Sequence, residues 1–193
     1  MKIPTNWISL GQPWQEKLDA EFQQTRVQLR WKKDALIFDV KLTDAQIISG
    51  ATAHNQRLFL IGDTLEVFLK RPELDSYLEL HVDPQNFRTA LRWPPGGIES
   101  IRESNGTPLE NFCIDPECFG SRVEIFPGGW RVEVSVPSEL LDWTEFAAGQ
   151  SLLVSVCRYD YAESNGTPIF STISSHAVKN FHDWTDWPAF TIV

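Results

Sequence analysis

The stretch that decides the fold is Ser121-Arg122-Val123-Glu124-Ile125-Phe126-Pro127-Gly128-Gly129-Trp130-Arg131-Val132-Glu133-Val134-Ser135-Val136. In its second half Trp130, Val132, Val134 and Val136 fall on one side of an extended chain and Arg131, Glu133 and Ser135 on the other, the period-two pattern of a half-buried strand. Val123 and Ile125 continue the apolar side in the first half, and Pro127-Gly128-Gly129 between them is hairpin chemistry. The two halves are expected to pair antiparallel. Working outward, the same texture recurs at 25–31, 35–42, 63–70, 75–83, 87–93, 151–159 and 188–193, each bounded by turn residues. Lys32-Lys33-Asp34 separates two alternating runs, the second with Leu36, Phe38, Val40 and Leu42 on one side and Ile37, Asp39 and Lys41 on the other. Helical signal is confined to 13–23, where Trp14, Leu18 and Phe22 recur at helical spacing, and to one turn at 138–143 that Ser138 could cap. The expectation is an all-β chain: one domain over 1–193, an antiparallel β-sandwich of jelly-roll type with one or two short helices.

Charge and composition narrow the function. The 193 residues carry 17 Lys and Arg against 26 Asp and Glu, a net charge of −9, and no basic cluster offsets it. Recognition of a polyanionic backbone needs a basic face, so nucleic acid is not an expected partner. No segment approaches the roughly 20 apolar residues of a membrane span, and the N-terminus lacks the apolar core of a signal peptide, so the reading is a cytoplasmic protein with no membrane partner. Cys113, Cys118 and Cys157 form no Cys-x-x-Cys pair, which argues for reduced thiols over a disulfide framework or a zinc site. The hexapeptide Glu-Ser-Asn-Gly-Thr-Pro occurs at 103–108 and again at 163–168. Either these are two similar surface turns, or they share a rim and touch one ligand.

No catalytic motif is present, and the histidines His54, His81, His176 and His182 are dispersed. A glycoside hydrolase using two of Glu66, Glu79 and Glu133 is the enzymatic alternative, since paired carboxylates on neighbouring strands can act as acid and nucleophile. On 75–83, Tyr77, Glu79, His81 and Asp83 share one side opposite Leu78, Leu80 and Val82, and Arg88, Ala90 and Arg92 on the next strand are expected to align with them. Carboxylate, imidazole and guanidinium together suit a neutral polyhydroxy ligand. Eight tryptophans supply stacking surface. In Phe181-His182-Asp183-Trp184-Thr185-Asp186-Trp187-Pro188, Trp184 and Trp187 stand in an expected loop where at least one meets ligand, while Trp14, Trp31, Trp130 and Trp143 are assigned to the core. One sugar face on an indole removes on the order of 100 Å² of apolar surface, about 2–3 kcal/mol gross.

Taken in order, Leu36-Ile37-Phe38-Asp39-Val40-Lys41-Leu42-Thr43-Asp44, Gly62-Asp63-Thr64-Leu65-Glu66-Val67-Phe68-Leu69 and Tyr77-Leu78-Glu79-Leu80-His81-Val82-Asp83-Pro84-Gln85-Asn86 resemble carbohydrate-binding module family 9. Trp130-Arg131-Val132-Glu133-Val134-Ser135-Val136-Pro137 resembles that family's Trp-x-Val-Glu-x-x-Ile-Pro strand, 154–159 its Asn-x-x-Arg strand and Phe181-His182 its closing loop. The resemblance implies a sugar-binding β-sandwich, non-catalytic, of the kind attached to xylanases and other secreted glycoside hydrolases that degrade plant polysaccharides, binding a poly- or oligosaccharide or its end. No cofactor is required, though structural calcium is frequent in the family. Members hold a ring between two tryptophans. Here the late position falls to Trp184 or Trp187, and the early one lies in Asn55-Gln56-Arg57-Leu58-Phe59-Leu60-Ile61, where Phe59 is the aromatic. Glu66 and Arg158 match family positions, and Asp44, Asp63 and Asp83 are candidate calcium ligands by their oxygen donors. With Phe59 where a tryptophan is expected, a sandwich with a decayed sugar site, serving as a structural or partner-binding domain, is the third reading.

Overall fold

The computed structural model describes residues 6–99, 108–162 and 166–193, so five residues of the first repeated hexapeptide (103–107) and three of the second (163–165) lie outside the described residues. Eleven strands are formed: β1 (Ile8–Ser9), β2 (Thr25–Trp31), β3 (Ala35–Thr43), β4 (Thr64–Lys70), β5 (Tyr77–Val82), β6 (Arg88–Trp93), β7 (Gly120–Phe126), β8 (Gly129–Pro137), β9 (Ser151–Asp160), β10 (Ile169–Thr172) and β11 (Ala189–Thr191). They make a first sheet in the order β1-β2-β3-β8-β7 and a second in the order β10-β9-β4-β5-β6, with β11 added along β9. Every pairing is antiparallel. The expected hairpin is present, with Val123 opposite Val132 and Ile125 opposite Trp130. Gly128 makes the reversal at φ +85°, and a side chain at Gly129 would collide with the Leu42 carbonyl, which explains the paired glycines.

The two sheets meet through the alternating residues the sequence exposes. Val27, Leu29, Leu36, Phe38, Val40, Leu42, Trp130, Val132, Val134 and Val136 face Leu65, Val67, Leu69, Leu78, Leu80, Val82, Val154 and Val156. This is an antiparallel β-sandwich. The expected helix at 13–23 does not form. The Gln12 side chain accepts from the Asp19 backbone N–H at 2.7 Å and donates to Asp19 Oδ2 at 2.7 Å, so local side-chain bonds replace the helical ladder, and Leu18 stays 55% exposed. Ser138–Leu141 is a single 3₁₀ turn, and no described helix is long and apolar enough to cross a membrane. Cys113, Cys118 and Cys157 are free thiols.

β4 and β5 are buried along their whole length because the second sheet is covered on both faces. Its outer face carries a separate aromatic core of Phe68, Tyr77, Leu91, Trp93, Phe181 and Trp187, contributed by β4, β5, β6 and the segment before β11. Polar groups are enclosed between the sheets as well. Arg158 is fully buried on the inner side of β9, opposite Leu65, and donates to Thr25 Oγ1 (3.1 Å), Thr43 O (2.7 Å), Asp44 Oδ2 (2.9 Å) and Asp160 Oδ1 (2.9 Å). It ties β9 to β2 and to the end of β3. Removing one partner of a buried ion pair strands the other, so Arg158→Met is predicted to lose about 3–5 kcal/mol in denaturant unfolding, with Arg158→Lys recovering part of it. A loss under about 1 kcal/mol would contradict this role.

Candidate functional site

The outer face of the second sheet carries its acidic groups side by side. In register, Glu66 on β4 stands opposite His81 on β5, and Glu79 is opposite Phe68 and Leu91. Side chains opposite one another in an antiparallel pair share a face, so Glu66, Glu79 and His81 converge. His81 Nε2 lies 2.6 Å from Glu79 Oε1 and 3.3 Å from Glu66 Oε1, all three groups being buried. Trp93 Nε1–H donates to Glu79 Oε2 at 2.6 Å. His182, held by the Tyr77 hydroxyl at 2.7 Å, adds its Nδ1 at 3.7 Å from the same oxygen.

Above this floor opens a cavity of about 340 Å³. Phe59, Tyr159, Phe170 and Phe181 make a continuous aromatic wall, with ring centroids 5.7 Å (Phe59–Tyr159), 4.8 Å (Tyr159–Phe170) and 5.8 Å (Tyr159–Phe181) apart. Trp93, Ile98 and Leu109 face the cavity as well, and Lys179, Asn180 and His182 bring polar atoms to it. Burial pushes the Glu66 carboxyl up to about 8; His81 opposes the rise and Glu79 adds to it. Burial also acts on Glu79, but His182, the bond from His81 and the Trp93 N–H outweigh it and hold that carboxyl below its ordinary value. His81 is held above its ordinary value, because the two carboxylates outweigh its own burial. The floor therefore divides its charge unevenly: Glu66 is the carboxyl that keeps its proton to higher pH and Glu79 the one that ionises first, beside an imidazole whose protonated form the two carboxyls favour. Among the described residues the Glu66 carboxyl, 2% exposed, contacts only His81 in polar fashion and is left to offer hydrogen bonds to the cavity.

The sequence-predicted residues divide. Phe59, Glu66 and Glu79 line the cavity, His81 lies beneath it, and Tyr77 supports it through His182. Arg88 does not align with Tyr77, Glu79 and His81 as expected. It pairs with Val82, so it points to the other side of the sheet, where it donates to Phe119 O at 2.7 Å and to Glu117. The residues of β6 that share the face are Thr89, Leu91 and Trp93. Arg158 is likewise on the inner side, one position past Cys157, which stands opposite Glu66. Trp187 is 4% exposed, packs on Phe68 and Tyr77, and donates from Nε1 to Phe181 O at 2.9 Å. Trp184 packs on Tyr77 with Lys70 Nζ 5.4 Å from its ring. The cavity lining contains neither tryptophan; Phe181 and His182, from the same loop, take that place. Glu133 sits on the other sheet, paired with Arg30 at 3.0 Å. Tyr159, Phe170 and Trp93 were missed. Tyr159 shows its side only through the β4–β9 register, and Phe170 belongs to a four-residue strand with no alternation to reveal it.

A second polar cluster forms between the sheets, where Asp44, Asp63 and Asp160 bring one oxygen each within 4.8 Å of one another. Asp83 is elsewhere, accepting from the Gln85 and Phe87 N–H groups and from Ser49. Arg158 is the guanidinium that meets Asp44 and Asp160, and Asp63 accepts from the Ile48 and Tyr161 N–H groups at 2.6 and 2.7 Å. Asp160 Oδ2 is buried with no hydrogen-bond partner among the described residues. Burial raises Asp63 to about 7, against its backbone bonds, and Asp160 to about 6, against Arg158. An all-oxygen set with an orphaned carboxylate oxygen fits a hard divalent cation such as calcium.

No family model and no curated protein sequence matches this chain. Solved structures do. A Bacteroides uniformis protein assigned to carbohydrate binding superposes with a TM-score of 0.75 at 11% identity, over 98% of this chain and 87% of that one. A family 9 carbohydrate-binding module from Caldicellulosiruptor kristjanssonii, in complex with cellotriose, gives 0.67 at 15% identity over 97% and 82%. The same organism's family 9 module in complex with glucose gives 0.64 at 14% identity over 100% and 83%. The chain therefore has the fold of the family 9 carbohydrate-binding modules.

Proposed function

We propose that this chain is a single non-catalytic domain that binds a plant-type oligosaccharide, or the end of a polysaccharide, in the cavity above Glu66 and Glu79. The observation that carries the reading is a buried carboxyl, Glu66, with hydrogen-bonding capacity left over, beside Glu79 at the floor of an aromatic-walled cavity of about 340 Å³. That volume is at the small end for ligand sites and suits one or two sugar rings. Hydroxyls would meet Glu66, Glu79 and Asn180, and C–H faces would lie on the wall that includes Phe59. The structural neighbours' cellotriose and glucose ligands support this class. Hydrolysis fits less well. The two carboxyls rise from one floor and share one imidazole, whereas cleavage needs them on either side of the scissile bond. We also propose that Asp44, Asp63 and Asp160 hold a structural calcium ion, which would neutralise what Arg158 leaves unbalanced.

Three outcomes follow from these assignments. Calorimetric titration with glucose, cello- and xylo-oligosaccharides is expected to show binding with Kd between about 10 μM and 1 mM, weakened about tenfold or more by Phe59→Ala and by Glu66→Gln; absence of heat with every sugar would overturn the site. The folded Glu66 carboxyl, near 8 against an ordinary 4.5, keeps its proton where the unfolded chain has lost it. The contribution of Glu66 to stability is therefore greatest below about pH 4.5 and declines as pH rises to about 8, so Glu66→Gln should gain thermal midpoint relative to the parent chain across that window; a difference between the two that does not change with pH would contradict the assignment. Calcium in millimolar excess should raise the thermal midpoint by several degrees, and Asp160→Asn should abolish that response. A midpoint indifferent to calcium and to chelator would remove the ion from the account.

A further inference from the structure

The two sheets treat their edges unequally. On the second sheet, β6 is bridged at Leu91 by Cys113, and its edge groups are taken up by Ile114 N–H to Ala90 O (2.9 Å), Asn55 N–H to Arg88 O (2.8 Å) and Ala90 N–H to Asn55 Oδ1 (3.1 Å). At the opposite edge, β10 exchanges two backbone bonds of 2.9 Å between Thr172 and Gly11. On the first sheet, β1 is only two residues long. β7 is seven residues long, and among the described residues its outer edge meets only Asn86, which accepts from Ser121 Oγ at 2.6 Å and donates to Ser121 O at 3.5 Å. Long bare edges are templates for another strand, and proteins usually blunt them with a proline, a bulge or charged side chains. β7 has neither proline nor bulge between Gly120 and Phe126, and its two charges, Arg122 and Glu124, are of opposite sign. Its last two apolar residues, Ile125 and Phe126, are 56% and 42% exposed.

We infer that β7 is a two-fold interface with a second copy of this chain. The Ser121 carbonyl points to the free edge, and backbone groups alternate along a strand, so those of Ser121, Val123 and Ile125 face outward together. An antiparallel partner centred on Val123 then sets Arg122 opposite Glu124 of the second copy, and Glu124 opposite its Arg122. The same register sets the bulky Phe126 opposite Gly120 and Ile125 opposite Ser121. The sequence is thus self-complementary in charge and in size, as a two-fold interface requires. The charges also continue a pattern already built. Arg122 pairs across to Glu133 and Glu124 to Arg131, while Arg131 grips Asp39 and Arg30 holds Glu133 at 3.0 Å. A second copy extends this alternating-sign face from four strands to eight.

Sedimentation equilibrium on the full chain tests it, from low micromolar to near-millimolar concentration. The expected result is a reversible monomer–dimer equilibrium. Arg122→Glu and Glu124→Arg should each weaken self-association about tenfold or more, since each sets like charges opposite one another twice. An equimolar mixture of the two variants should regain the dimer, because each then meets its opposite. Val123→Pro, which removes an outward N–H without touching the β8 ladder, should be monomeric with an unchanged circular dichroism spectrum. A chain that stays monomeric throughout, a dimer indifferent to all three variants, or a mixture no tighter than its components overturns the proposal. Association that runs on past two copies overturns it too, since a closed two-fold contact on one edge stops at a dimer.

Discussion

Two carboxyl groups enclosed side by side on adjacent strands do not both ionise at ordinary cost, and the group they share decides how the charge is divided. His81 is that group, with its Nε2 between Glu66 and Glu79 at 3.3 and 2.6 Å. The outer face of the second sheet is organised around this triad. Trp93 and His182 fix the Glu79 oxygen that His81 leaves free, Tyr77 fixes His182, and Phe68, Trp187 and Phe181 pack around Tyr77. What remains is Glu66, whose proton is held by burial and whose hydrogen-bonding capacity is directed into the cavity. A sheet face that only needed covering would carry apolar residues there, so the cost of enclosing these groups is itself the argument for a ligand.

The same strands enclose a second polar cluster on their other face, and one residue separates the two. On β9, Cys157 belongs to the outer face with Glu66, while Arg158 turns inward to Thr25, Asp44 and Asp160. Period-two geometry makes such a split unavoidable, because neighbours along a strand point to opposite faces. The inner cluster joins the sheets and the outer one faces the cavity. They are not parts of one site: the outer cluster lies on β4 and β5, the inner one on β9 and at the ends of β3 and β4.

This parity explains how far the sequence could be read. The hairpin of β7 and β8 and the runs of β2 and β3 are half-buried strands whose alternation is plain, and the sandwich follows from them. β4 and β5 are buried on both faces, so Glu66, Glu79 and His81 show through as polar exceptions in apolar strands and were found. Arg88 was misplaced because its face depends on whether Tyr77 pairs with Trp93 or with Arg92, a register that the turn between β5 and β6 sets and composition does not reveal. The cavity wall was harder still. Trp184 and Trp187 are the aromatics that the loop sequence offers, yet Trp187 is a core residue, and the half-buried rings of the wall come from Phe59, from Tyr159 and from Phe170 on a strand too short to show a pattern. Asp160 joined Asp44 and Asp63 only once β9 was laid against β4.

The central claim is that carbohydrate enters the cavity above Glu66 and Glu79, and the indole N–H of Trp93 is its built-in reporter. That proton is bonded to Glu79 Oε2, while the indole N–H of Trp130 is bonded to Asp44 Oδ2 in the inner cluster. Nuclear magnetic resonance of the tryptophan indole protons during titration with cellotriose distinguishes the two faces. The account predicts a saturable shift of the Trp93 signal with the Trp130 signal unmoved. A titration that leaves Trp93 unchanged, or that moves Trp184 alone, would contradict it.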